Sequence, residues 1–219
     1  MNAGGISAAV KPRLRGVSHQ YAFFVSVACG VGLILAASGG RARVAAAIYA
    51  VAVSALLGTS ALYHRVTWRP SARRWMRRLD HSMIFVLIAG TYTPVALIAL
   101  SGPLAHAILI AVWVGAAAGV VFKLAWIDAP KWLFAAVYVA LGWVSVAVFG
   151  ELPAAIGWLG FAGLALGGLL YTVGALVYAT ERPNPFPKVF GYHEIFHALV
   201  VVAVVCQYAT IAFFVLPSS

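Results

Sequence analysis

Seven long runs of apolar residues, at 21–38, 44–63, 82–100, 104–122, 132–149, 156–179 and 192–216, organise this chain. Each is close to the length of about 20 residues that a helix needs to cross a hydrocarbon core of roughly 30 Å. The breaks between them are short and carry turn chemistry: Ser38-Gly39-Gly40, Ser101-Gly102-Pro103, Asp128-Ala129-Pro130, Glu151-Leu152-Pro153 and Arg182-Pro183-Asn184-Pro185. No stretch between runs is large enough to fold as a separate soluble unit. The pattern therefore predicts an all-α, seven-transmembrane helix bundle, with residues 1–219 forming a single domain.

Composition agrees. Hydrophobic residues make up 63% of the 219 residues and charged residues 9%, with a mean hydropathy of +0.97. Soluble domains carry about a quarter charged residues, enough to coat a water-facing surface; this chain does not. The first run follows Lys11, Arg13 and Arg15 and ends near Ala36-Ala37-Ser38-Gly39, features shared with cleaved signal peptides. At about 18 residues it is longer than a signal core, so it reads as a retained span. Cys29 and Cys206 fall in mid-span and read as small apolar residues facing helix neighbours.

The net charge of +10 is distributed unevenly. With a cytoplasmic amino terminus, the inside segments hold Lys11, Arg13, Arg15, Arg65, Arg69, Arg73, Arg74, Arg77, Arg78, Lys123, Lys131, Arg182 and Lys188, and the outside segments only Arg41 and Arg43. Basic residues favour the cytoplasmic side of short loops, so the N-terminus is expected inside and the C-terminus extracytoplasmic. The loop from Arg65 to Arg78, with Trp68 and Trp75, suits topology setting and contact with anionic lipid headgroups. No motif supports nucleic-acid binding.

Ionisable groups inside spans are costly and point to function. In this topology His64 ends the second span, Asp80 and His81 open the third, and His193, Glu194 and His197 open the seventh, all at one membrane depth. The lysines and arginines alone set this topology, and the agreement of the three clusters with it is the strongest functional signal in the sequence. His193 and His197 stand four apart and project from one helix face, as do Ser60 and His64. Zinc accepts three imidazoles in catalytic sites, leaving one position open, and His64, His193 and His197 satisfy that count. Asp80 then orients a ligand or serves as base. His193-Glu194-Ile195-Phe196-His197 also reads as H-E-x-x-H, the pattern of metalloproteases in which the glutamate is the base, so Glu194 competes with Asp80 for that role. His19 and His106 have no such company and read as non-ligands; His81, about 100° around the helix from Asp80, is expected to face elsewhere. Gly115/Gly119 and Gly163/Gly167 are G-x-x-x-G steps for close helix packing. Pro94 is expected to kink the third span, and Tyr208 to bond a neighbouring helix or line a cavity.

Three segments, Ser60-Ala61-Leu62-Tyr63-His64, Leu79-Asp80-His81-Ser82 followed by Ala89-Gly90-Thr91-Tyr92-Thr93-Pro94, and Gly191-Tyr192-His193-Glu194-Ile195-Phe196-His197, resemble bacterial hemolysin III proteins. These group with the progestin and adipoQ receptors, which include the adiponectin receptors. The resemblance covers nearly the whole chain and implies seven spans, an inside N-terminus and a zinc site formed by Ser60, His64, Asp80, His193 and His197, with the histidines as ligands. It weakens the metalloprotease reading. One departure concerns an E-x-x-N-x-x-x-H pattern common around the first-span histidine: Pro12 and Arg15 occupy those upstream positions before His19.

Three function classes follow. The family's resemblance to alkaline ceramidases implies a zinc hydrolase of a lipid amide or ester, with zinc polarising the carbonyl, Asp80 as base and Ser60 steadying the oxyanion. The second class is a membrane-homeostasis or sensor protein with structural zinc. The third, implied by the family name, is a cytolysin or channel, against which stand the short loops and the lack of an amphipathic pore-lining helix. The hydrolase ranks first, with a membrane lipid as substrate and the cell membrane as location.

Overall fold

A computed structural model of the protein describes residues 11–218. Seven helices are long and apolar enough to cross a membrane, and no β-strand occurs among the described residues. They are α1 (Val17–Ala36), α2 (Gly39–Arg65), α3 (Pro70–Pro94), α4 (Gly102–Ala125), α5 (Lys131–Gly142), α6 (Leu152–Thr180) and α7 (Tyr192–Thr210). This is the architecture of a multi-pass membrane protein.

Three spans change pitch rather than stop. After Pro94, which cannot donate a backbone hydrogen bond, α3 continues as a wider turn at Val95–Ala99, so the proline changes the pitch of the span there. The helix α5 tightens at Trp143–Val148, and α7 widens at Ile211–Val215. Near its start α6 bends at Gly157, whose φ of 72° is a conformation that glycine alone adopts freely.

Successive helices pack side by side, α1 on α2, α2 on α3, α3 on α4, α5 on α6 and α6 on α7, and α7 also meets α1. One core cluster, around Phe85, Val112, Phe134, Leu152 and Val215, joins α3 through α6 to the end of α7's span. A second, around Tyr49, Leu57, Val204 and Ile211, joins α1, α2 and α7. The outer faces are apolar as well: Tyr21, Phe24, Leu35, Val51, Ile110, Trp158, Leu159 and Phe213 are all exposed. A helix that is apolar all round is stable in lipid and unstable in water, so this surface is a hydrocarbon-facing one.

The glycine pairs act as spacing predicts. Gly119 lies against the ring of Phe85, Gly115 against Leu141, Gly163 against Thr210 and Gly167 against Gln207, each too close for a β-carbon without rearrangement. Tyr208 donates from its hydroxyl to the Cys29 carbonyl at 3.0 Å, so it ties α7 to α1 rather than lining a cavity. Cys29 and Cys206 are free and half-buried.

One expectation needs correction. The arginine-rich segment is not a loop from 65 to 78. Residues 66–69 alone connect α2 to α3, and Arg73, Arg74, Arg77 and Arg78 ride on the first turns of α3. A search for apolar runs sees only the part of a helix in hydrocarbon, whereas arginine is a good helix former and Pro70 suits a first helical position. Asp80 therefore sits well inside a continuous helix.

Candidate metal centre

The polar side chains buried in this bundle include His19, Ser60, His64, Asp80, Lys123, His193, Glu194 and His197, all near the end where the basic residues gather. His64 comes from the last turn of α2; His193 and His197 come from the first turns of α7. One ring nitrogen from each of these three lies within 4.8 Å of the others. His64 Nε2 and His193 Nε2 are 3.2 Å apart. Two ligands at tetrahedral angles on zinc, each about 2.0–2.1 Å from the metal, stand roughly 3.3 Å from one another. His197 Nδ1 is buried without a hydrogen-bond partner. Donor type, spacing and an orphaned ring nitrogen together fit a metal ion held by His64, His193 and His197.

Asp80 Oδ2 lies 3.8 Å from His64 Nε2, beyond hydrogen-bond reach but beside the group. Ser60, one turn before His64, interacts with the same carboxylate and shares a 2.9 Å hydrogen bond with His19 Nδ1. The residues read from sequence as site residues, Ser60, His64, Asp80, His193 and His197, thus converge.

Two neighbours were read differently from sequence. His19 has close company: its ring stacks on His197 at 3.9 Å between centroids, with the planes 6° apart. It lies outside the three-ligand group and acts as a wall and a partner for Ser60. His81 does not face away. Its Nε2 is 3.9 Å from Asp80 Oδ2, on the same side of α3. The 100° step separates the two Cβ vectors, but a long imidazole beside a short carboxylate bridges that arc. His106 is exposed and bonded to the Gly102 carbonyl, away from the site.

Glu194 is committed elsewhere. One oxygen accepts the Gly191 backbone N–H at 2.7 Å, the reciprocal half of a capping box at the start of α7. The other pairs with Arg15. Arg15 occupies one of the positions where the family pattern was absent, and here it supplies the countercharge for a glutamate 3% exposed. The segment carrying Arg15 is fixed by backbone bonds from Arg13 N–H to the Lys188 carbonyl and Leu14 N–H to the Val189 carbonyl, at 3.1 and 3.2 Å.

Beyond the histidines a cavity of about 190 Å³ runs through the bundle. His19, Ser60, Asp80, His193 and His197 line one end, and Leu100, Val148 and Leu152 line the other. Its walls between are mainly apolar, contributed by α3, α5, α6 and α7. Ionisable groups at the near end are tied off: Arg77 to Asp128 at 2.9 Å, Lys131 to Glu181 at 2.7 Å, and Lys123 over the Phe134 ring at 3.6 Å.

The profile of the Haemolysin-III related family matches residues 7–208. The chain belongs to that family. It is 35% identical over 188 residues to the hemolysin-3 homolog of Bacillus subtilis (strain 168), covering 84% of this chain and 85% of that protein. It is 32% identical over 206 residues to the hemolysin-3 of Bacillus cereus, covering 93% and 91%. The human monocyte to macrophage differentiation factor is 27% identical over 173 residues, covering 77% of this chain and 69% of that one. The family resemblance drawn from the three motifs holds.

Proposed function

We propose that the protein is a zinc-dependent hydrolase of a lipid amide or ester, acting at the cytoplasmic side of the cell membrane. The observation that carries this reading is the meeting of three buried histidines and a carboxylate with the end of a long apolar cavity. A bundle that needed metal only as a staple has no use for a cavity leading away from it, whereas an acyl chain has. His64, His193 and His197 would hold the ion. When bound, zinc supplies a Lewis acid for the lipid carbonyl and lowers the pKa of water toward about 7.

The chain's own groups do the rest. Asp80 accepts the proton of the attacking water and returns it to the departing amine or alcohol. Ser60, beside the Asp80 carboxylate and 2.9 Å from His19 Nδ1, steadies the developing oxyanion with its hydroxyl once Asp80 has taken the proton of water. Apolar walls exclude bulk water from the acyl chain. Glu194, engaged by Gly191 and Arg15, is held out of this chemistry. Released fatty acid, measured from lipid nanodiscs containing the purified protein, should fall to background on chelation and return on adding zinc. Turnover that persists in metal-free protein would end the metal-dependent reading.

The same reading sets the N-terminus inside, since thirteen of fifteen basic residues gather on one side. A reporter that works only after export should be active when fused after Ser219; activity of a cytoplasm-only reporter there would reverse the sidedness.

A further inference from the structure

A second cleft, of about 690 Å³, opens beside the histidine group at the basic end of the bundle. Its walls are the 11–15 segment, the end of α2 and the connection after it, the start of α3, and the connection between α6 and α7. Lys11, Arg15, Arg73 and Lys188 line it, with Tyr63 and Trp68. His64 lines it as well, while His193 and His197 face the apolar cavity. The three-histidine group thus stands between a cationic cleft and an apolar one.

The chain has five acidic residues, and none is left to neutralise this cleft. Asp80 sits beside His64 and His81, Asp128 pairs with Arg77, Glu181 with Lys131 and Glu194 with Arg15. Glu151 is at the start of α6, the opposite end of the bundle. Arg15 has its partner, but Lys11, Arg73 and Lys188 pair with no carboxylate among the described residues. Lys11 donates a hydrogen bond from its ammonium to the His64 carbonyl, which holds that cation at the edge of the cleft. The backbone helps to bring these cations together: Gly16, with φ of 79°, turns the chain so closely over His64 that a β-carbon there would collide with it.

We propose that this cleft binds the phosphate of an anionic lipid headgroup, with the lipid's acyl chain in the apolar cavity on the far side of the histidines. An ammonium and guanidinium groups suit a phosphate anion, through point charge and forked hydrogen bonds respectively. Tyr63 and Trp68 sit where an interfacial headgroup would lie. Free inorganic phosphate offers the same anion chemistry, but it would leave the apolar cavity unused. This assignment names the substrate class of the proposed hydrolase and rests on that reading only in making the bound lipid a substrate; binding itself requires no turnover.

The test is competition against a fluorescent short-chain phosphatidylglycerol, using zinc-loaded full-length protein in dodecylmaltoside micelles. Unlabelled phosphatidylglycerol should compete at least tenfold better than phosphatidylcholine of the same chains, and inorganic phosphate should compete poorly. Arg73→Gln/Lys188→Gln removes two exposed cations and should weaken phosphatidylglycerol on the order of 25-fold, about 5-fold per cation. Phosphatidylcholine, whose choline cation offsets its phosphate, should lose no more than a few-fold, and zinc content should stay the same. Should that variant not fold, added salt on the wild type gives the same decision, because screening should erase the preference. Equal affinity for the two lipids, a preference insensitive to both charge removal and salt, or displacement by phosphate as effective as by lipid would each overturn the proposal. Preferential binding without any hydrolysis leaves the headgroup site standing and removes the enzyme; hydrolysis of neutral lipid without preference does the reverse.

Discussion

Asp80→Asn is expected to leave zinc in place and to cut lipid hydrolysis by on the order of 100-fold or more, the usual worth of a positioned general base. Asparagine keeps the size of the side chain and one oxygen toward Ser60, but it cannot take a proton. The position supports the role: Asp80 is buried, lies 3.8 Å from His64 Nε2 and lines the cavity where the lipid carbonyl would rest. Because it does not hydrogen-bond the ring at that distance, its loss should disturb the ligand set little. Glu194→Gln is the informative companion. Glutamine retains an acceptor for the Gly191 N–H but dissolves the ion pair with Arg15. That substitution should lower the melting temperature and leave hydrolysis within a few-fold of wild type. Loss of activity in Glu194→Gln with Asp80→Asn spared would instead make Glu194 the base. If neither substitution alters any hydrolysis above background, yet His193→Ala destabilises the protein, the metal has a structural role and the enzyme reading falls.

The arrangement of the site was partly legible before the fold, for reasons visible in single residues. His64, Asp80, His193 and His197 were readable because alternation of spans puts every second connection at one end, and because a four-residue step keeps two side chains on one helix face. His19 was not. Its partners Ser60 and His197 lie 41 and 178 positions away, and only the packing of α1 on α2 and α7 brings it to them. Arg15 and Glu194 were likewise unmatched, being 179 residues apart. The fate of Glu194 did have a local signal that the H-E-x-x-H pattern masked. A glycine followed three residues later by glutamate, before an apolar run, is where a carboxylate turns back to cap a helix. The seven spans were plain from apolar length alone, yet that criterion cut α3 short, since its first turns carry arginines. Cavities leave no trace in a one-dimensional pattern, and both clefts emerged only with the packing.

Removing His193 and His197 together should take the protein from about one zinc per chain to nearly none, measured by elemental analysis after purification without added metal. The two rings come from successive turns of one helix, so the double substitution withdraws two of three proposed ligands. A lone His64 with a carboxylate nearby cannot hold zinc against the buffer. His64→Ala should do nearly as much damage, because it removes the only ligand contributed by α2. Two controls give the result its meaning. His106→Ala alters an exposed histidine in the first turns of α4, bonded to Gly102, and should keep full zinc. His19→Ala removes the ring stacked on His197 but no member of the three-nitrogen group, and should also keep most of it. Full zinc in the His193→Ala/His197→Ala protein would place the metal elsewhere. Loss of zinc in His19→Ala as severe as in His64→Ala, with the protein still folded by helical circular dichroism, would mean that the first helix contributes a ligand and that the group has four histidines rather than three.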